Sequence, residues 1–335
     1  MGKVVTLGEI MLRLSTDQGI RIENSGQFHA HYGGGEANVA ISLANYGHEV
    51  SFATKVPDQA LGKAVKKHLQ GYGVGTSHVV LGGPRLGTYY MEAGVGERAA
   101  SVIYDRAGSS FAVMDHLEWQ LDELFQDVDI FHVSGITPAL SKKWQKMTKT
   151  LLQAAKKAGC LVSFDINYRG KLWSQKEASG VIHQLLPFVD ICSAGKMDAL
   201  YLLGIEEAPE NTEQPIAYYY QKMQEKFPNI QVFYSTDRTV RSASENQLMG
   251  TIWMDRKYLE SQTHEIKPIV DRVGGGDAFA GGVLHGILSR MQPQEIIDFA
   301  TAASALKHTI HGDCNQFNHE EVAQFLACGS GKIIR

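Results

Sequence analysis

Short apolar runs alternate with longer amphipathic ones along most of the chain. Lys3–Leu7, Val50–Lys55, Asp129–Val133, Cys160–Asp165, Val189–Cys192, Ile230–Tyr234 and Gln247–Met254 read as strands. Between and after them, Glu36–Tyr46, Ala60–Gln70, Ser141–Ala158, Gln175–Leu186, Met197–Leu203, Ala278–Ser289, Pro293–His308 and His319–Ala327 carry helical spacing. Ser141 is placed to cap a helix start, and Gly47, Gly71 and Gly159 close three helices. Ala217-Tyr-Tyr-Tyr220 reads as a helix face packed on a sheet.

This alternation predicts right-handed βαβ units, hence an α/β fold with a mostly parallel central sheet and helices on both faces. Two segments break it. Residues about 10–32 and about 86–106 alternate apolar and polar with no helix between, and read as antiparallel strands outside the main sheet. The expected architecture is a single α/β domain over residues 1–335, with a small β lid inserted at those two places. Ligands of such sheets sit at the carboxyl ends of the strands, here beneath the lid.

Composition narrows the function. With 32 Lys+Arg against 36 Asp+Glu, net charge −4 and no basic block, the chain is a poor nucleic-acid binder. No apolar run approaches the roughly 18 residues of a membrane span. The start, MGKVVTLGEIMLRLS, reads as a strand, not a signal sequence. Cys160, Cys192, Cys314 and Cys328 are far apart and read as reduced thiols, so a cytoplasmic location is expected. The histidines show no metal-ligand spacing, and His308 and His311 are placed to complement a helix dipole. Glycine is in excess, 34 residues without a collagen period, which points to tight turns and close approach of backbone to ligand.

The most informative stretch is Asp271-Arg-Val-Gly-Gly-Gly-Asp-Ala-Phe-Ala-Gly-Gly282. Gly274, Gly275 and Gly276 at a helix start expose consecutive backbone N–H groups as an anion cradle. Asp277 beside them is suited to accept a hydroxyl proton during phosphoryl transfer. Gly281 and Gly282 allow close helix packing. No G-K-[ST] follows, so this is not a Walker A loop.

The stretch resembles the C-terminal signature of the ribokinase-like (PfkB) carbohydrate kinases, D-x-x-G-A-G-D-x-F. Asp271, Gly274, Gly276, Asp277 and Phe279 match, with Gly275 at the alanine place. Gly33-Gly-Gly-Glu-Ala-Asn-Val-Ala40 resembles the family's N-terminal segment, which lies against the sugar. The resemblance runs from Gly8 to about Leu326 and implies a ribokinase-like fold, ATP and Mg²⁺. Asp277 is then the catalytic base and Gly274–Gly276 the anion hole.

Tyr89, Tyr104-Asp-Arg106, Gly135-Ile-Thr-Pro-Ala-Leu140, Asp165-Ile-Asn-Tyr-Arg169 and the Asp271-Arg-Val triplet are similar to the 2-keto-3-deoxygluconate kinase branch. That branch implies a sugar site lined by Gly34, Tyr89, Tyr104, Arg106, Ile136 and Arg169, with the two arginines on the substrate carboxylate. It also places Asp313 near sugar and nucleotide. A lone lid arginine is ordinarily a solvated rim residue, so the assignment rests on the set.

Two segments depart from the family pattern. The usual Asn-x-x-Glu becomes Gly195-Lys-Met-Asp198, so Asp198 takes the role of organising Mg²⁺ through water, and Lys196 adds charge near the phosphates. The glycine-containing nucleotide loop becomes Ser235-Thr-Asp-Arg-Thr-Val-Arg241, where Arg238 or Arg241 is left to contact phosphate; exposed hairpin arginines are the plainer reading. Ser235 joins this ATP set, and the adenine is expected near Thr301. The expected activity is ATP-dependent phosphorylation of 2-keto-3-deoxy-D-gluconate at its 6-hydroxyl. The alternatives are a kinase for a neutral ketose such as fructose, a kinase for another sugar acid, and a catalytically weak sugar- or nucleotide-binding protein. Exposed lid edges suggest a homo-oligomer.

Overall fold

The computed structural model describes residues 1–328. Its strands are β1 (Lys3–Leu7), β2 (Met11–Ser15), β3 (His29–Gly33), β4 (Glu49–Val56), β5 (Val79–Leu81), β6 (Thr88–Glu92), β7 (Ser101–Asp105), β8 (Ile130–Ser134), β9 (Leu161–Asp165), β10 (Ile191–Ser193), β11 (Val232–Ser242), β12 (Glu245–Met254), β13 (Lys257–Glu260) and β14 (His264–Ile266). Ten of them form the main sheet, in the order β13-β12-β11-β10-β9-β8-β1-β4-β5, with β14 also on β12. Pairing is parallel from β5 to β11 and antiparallel where β12, β13 and β14 close one edge.

Parallel strands covered on both faces should be apolar throughout, and every residue of β8 is buried. One face packs around Trp144, which stacks on Phe111 at 4.3 Å and donates its indole N–H to the Phe111 carbonyl. The other packs Phe52 and Ile130 against the helices Gly35–Asn45 and Gly275–Leu288. These two helices touch closely because Gly281 has no side chain: a Cβ there would lie 2.6 Å from that of Ser42. Gly282 does the same for helix Pro293–Lys307, with Ala300 Cα 2.6 Å from its would-be Cβ. Ser141 caps helix Lys142–Lys157 by accepting from the Trp144 amide at 3.1 Å.

The remaining four strands form a second sheet, β3-β2-β6-β7. The expected all-antiparallel pattern fails at its centre, where β2 and β6 run parallel. The connectivity explains this: β2 follows β1 and β6 follows β5, and both parents leave the main sheet in the same direction. Register then sorts the lid's two faces. His31, Arg13, Tyr89 and Tyr104 form one cross-strand row, and Ala30, Leu14, Tyr90 and Ile103 form the next, on the opposite face.

The segment 235–241 is not a loop. β11 runs on through it to Ser242 and pairs with β12 along its length. The expectation that His308 carries charge at a helix end also fails. Its ring is fully buried, burial pushes its pKa down to about 4, and Nδ1 sits 2.6 Å from the Ser304 carbonyl.

Candidate active site

A cleft of about 960 Å³ lies between the lid and the carboxyl ends of the central strands. Two helix N-termini meet there. Gly33, Gly34 and Gly35 bring in the start of helix Gly35–Asn45, while Gly274, Gly276 and Asp277 bring in the start of helix Gly275–Leu288. Both ends carry positive dipole charge, which suits an anionic ligand.

The three cradle glycines have different reasons. Gly274 is left-handed at φ +80°, and a Cβ on it would lie 1.7 Å from the Asp313 carbonyl oxygen. Gly275 packs on the His308 ring, with 2.4 Å of clearance for a Cβ. Gly276 lines the cleft, and a Cβ on it would meet no protein atom within 4 Å. The protein's own packing therefore does not call for glycine at Gly276, whereas close approach by a ligand would.

Asp277 is held by Asn38, whose side-chain amide donates to it at 2.7 Å. Burial pushes the Asp277 carboxyl up to about 6; the Asn38 bond opposes this, and Glu36 adds to it. The remaining acceptor of Asn38, Oδ1, is buried without a donor. Asp165, also in the cleft, is pushed up to about 7 by burial and then by the carboxylates of Asp277 and Asp198.

A sequence model of the pfkB family carbohydrate kinases matches residues 1–320. The chain belongs to that family.

Among relatives, a 2-dehydro-3-deoxygalactonokinase of Haloferax volcanii is 32% identical over 334 residues, covering 99% of each chain. A solved PfkB family carbohydrate kinase of Listeria grayi is 48% identical with a TM-score of 0.93, covering 97% of this chain and 99% of that one. A solved 2-dehydro-3-deoxygluconokinase of Thermotoga maritima is 37% identical with a TM-score of 0.94, covering 98% and 100%. This protein is therefore a carbohydrate kinase with an α/β ribokinase-like fold, and kinases of this family use ATP.

The sugar-side candidates of this PfkB kinase do converge on the cleft, but in unequal states. Gly34, Tyr89, Tyr104, Arg106, Ile136, Arg169 and Asp313 all line it. Gly34 lies so close to β1–β2 that a Cβ would be 2.1 Å from the Glu9 carbonyl oxygen. Arg106 is already paired with the buried Glu9, its Nε at 2.9 Å. Arg169 has no carboxylate partner among the described residues, and with Lys171 it is the open positive charge on this wall. Asp313 is already engaged within the protein: Arg13 donates to one carboxylate oxygen at 2.8 Å, and the Tyr89 hydroxyl donates to the other. Its carboxylate anchors the lid.

The nucleotide-side candidates divide more sharply. Arg238 lines the cleft beside Arg272, and burial lowers its pKa. Arg241 does not line it; it is paired on the hairpin with Glu245 at 3.2 Å and Glu265 at 3.7 Å. Ser235 is bonded to the Tyr220 and Thr251 hydroxyls at 2.7 and 3.1 Å, as part of the hairpin's base. Thr301 is fully buried, with its hydroxyl on the Ile297 carbonyl at 2.7 Å, and it fills the space that Gly250 leaves. None of these three lines the cleft. Lys196 lies 3.8 Å from Glu207 and 5.9 Å from the Tyr219 ring, and it does not line the cleft.

Asp198 caps its own helix by accepting from the Gly195 amide at 2.9 Å, and it stands outside the cleft lining. No cluster of three metal-binding side chains occurs among the described residues. Asp165 and Asp198 nevertheless offer hard carboxylate oxygens near one another, the donor type that Mg²⁺ takes.

Sequence reasoning missed Arg13, which donates to Asp271 at 2.6 Å as well as to Asp313. A lone arginine between leucines in an alternating strand was the available signal, but alternation does not say which face is buried. No helix among the described residues is long and apolar enough to cross a membrane.

Proposed function

We propose that this PfkB kinase transfers the γ-phosphoryl group of ATP to the 6-hydroxyl of 2-keto-3-deoxy-D-gluconate or its galacto epimer. The observation that carries this reading is the shared cleft: Arg169, without a carboxylate partner among the described residues, faces the same space as the Asp277 base and the glycine cradle. A guanidinium suits a carboxylate, so a sugar acid held by its C1 end presents its far hydroxyl to Asp277. The galacto epimer is included because one relative is named for that substrate.

In this mechanism Asn38 holds Asp277 ionised and aimed. The substrate oxygen attacks the γ-phosphorus, Asp277 takes its proton, and the bond to the β-bridging oxygen breaks to release ADP. The Gly274–Gly276 amides offset charge on the transferring group. Arg238 and Arg272 line the cleft near that cradle and are placed to meet the polyphosphate. Asp165 and Asp198 are the residues that would hold Mg²⁺, directly or through water. Bound Mg²⁺ would neutralise phosphate charge in the transition state. The lid covers the site and excludes water that would otherwise hydrolyse ATP.

The lid's row of Leu14 and Tyr90, with Phe28 against Tyr90 at 6.1 Å, supports pairing with a second copy. Sedimentation at micromolar concentration tests it; a monomer alone refutes the pairing. The function is tested by measuring phosphorylated product from ATP with 2-keto-3-deoxygluconate, its galacto epimer and fructose. Turnover of an acid sugar well above fructose is expected. Preference for fructose would overturn the carboxylate reading.

A further inference from the structure

We propose that Lys307 is a positioning residue for the phosphate cradle, its buried ammonium holding the Asp271 carbonyl and balancing the charge beneath Gly274–Gly276. The inference rests on reading those glycines as the cradle of a kinase.

Lys307 ends helix Pro293–Lys307, a place where lysine normally projects into water and complements the dipole. Here its side chain is fully buried, among the largest such side chains in the protein. Nζ donates to the Asp271 carbonyl at 3.2 Å. A lysine buried in this way is costly unless charge and hydrogen bonds compensate it. Two carboxylates, Asp271 and Asp313, and one arginine, Arg13, lie near enough to act on its charge, without a direct ion pair to it among the described residues. Asp271 receives Arg13 at 2.6 Å, the Val273 amide at 3.1 Å and the Gly312 amide at 3.2 Å. Asp313 receives the other Arg13 nitrogen at 2.8 Å. Asp271 and Asp313 favour the charged ammonium, whereas burial and Arg13 oppose it, so its pKa is lowered.

The four charges sum to zero. Without the ammonium, a net negative charge would lie under the loop that must bind polyphosphate, and at such range in a buried site it would repel the ligand. The geometry of the loop depends on the same group. Asp271 opens the turn that continues through Arg272 to Val273, whose amide is bonded to the Asp271 carboxylate, and Gly274, which rests against the Asp313 carbonyl. Holding the Asp271 carbonyl therefore fixes the plane from which the cradle amides point.

The test uses Lys307→Gln, which keeps an N–H donor and removes the charge, Lys307→Ala, which leaves a cavity, and Lys307→Arg, which keeps the charge. In Lys307→Gln, kcat should fall about 100-fold and the KM for ATP should rise, while the KM for the sugar changes less than about twofold. Ammonium chloride should restore about tenfold of kcat to Lys307→Ala, and tetramethylammonium at equal ionic strength should not. Lys307→Arg should retain more turnover than Lys307→Gln. Wild-type kcat in Lys307→Gln would overturn the inference. So would a loss in all three variants that follows the fall in Tm and that ammonium leaves unchanged. Failure of the kinase reading is a separate result, namely wild-type protein that phosphorylates no sugar.

Discussion

Asn38 donates its side-chain amide to Asp277 at 2.7 Å, joining the first turns of two helices that lie 239 positions apart in sequence. The bond opposes the burial that pushes Asp277 up to about 6. A base in that range is ionised at neutral pH yet still strong enough to take a hydroxyl proton.

Asp277→Asn should therefore abolish turnover, leaving less than about 0.1% of the wild-type rate, while sugar binding survives in a calorimetric titration. Retained turnover in a folded variant would move the base elsewhere.

The same substitution should stabilise the fold at pH 7. The folded pKa of Asp277 is raised, so the native state binds more protons than the unfolded state between about 4 and about 6. Stability is then lost as pH rises through that window, and a neutral Asn escapes the loss. A Tm gain worth up to about 3 kcal/mol is expected at pH 7, shrinking toward pH 4. An unchanged Tm at both values would argue against a strained carboxylate.

Activity should rise on the acid side with a midpoint of about 6, set by Asp277. Asn38→Leu removes the hydrogen bond that favours ionisation and should move the limb upward. A midpoint near that of an ordinary carboxylate, about 4, would contradict the burial described.

Much of the main sheet is legible in the sequence because buried parallel strands and amphipathic helices have distinct periods, as at Ile130–Ser134 and Lys142–Lys157. The three glycines before Asp277 stand out in the sequence for a different reason, a crowded helix start, and only the structure shows that Gly276 alone lacks a packing reason. What was not legible is which polar groups the fold turns inward. Thr301 sits in the interior of a helix, and Arg241 meets Glu265 only because β14 pairs with β12. Arg13 and Lys307 have the pattern of solvated charges, and only tertiary packing shows that both are buried over Asp271.

Arg169→Ala should raise the KM for an acid sugar about tenfold or more and leave that for a neutral ketose nearly unchanged. Equal effects on both would mean that Arg169 does not bind the carboxylate. Arg241→Ala, by contrast, should leave steady-state kinetics within about twofold, since an exposed hairpin pair contributes little.

Gly274→Ala and Gly276→Ala separate folding from ligand contact. The first places a Cβ on the Asp313 carbonyl at a left-handed backbone position and should cost about 2 kcal/mol or more. The second meets no protein atom, so Tm should hold while the KM for ATP rises. Equal losses of stability in both would show that Gly276 also serves packing.

The lid strand β2 is fastened through Arg13 to residues 258 and 300 positions away, on loops that belong to the far end of the chain. A chimera that grafts the lid of a relative onto this body would thus separate Arg13 from Asp271 and Asp313 unless the donor's loops travelled with it. For recombination and directed evolution, the transferable module is the lid together with those two C-terminal loops.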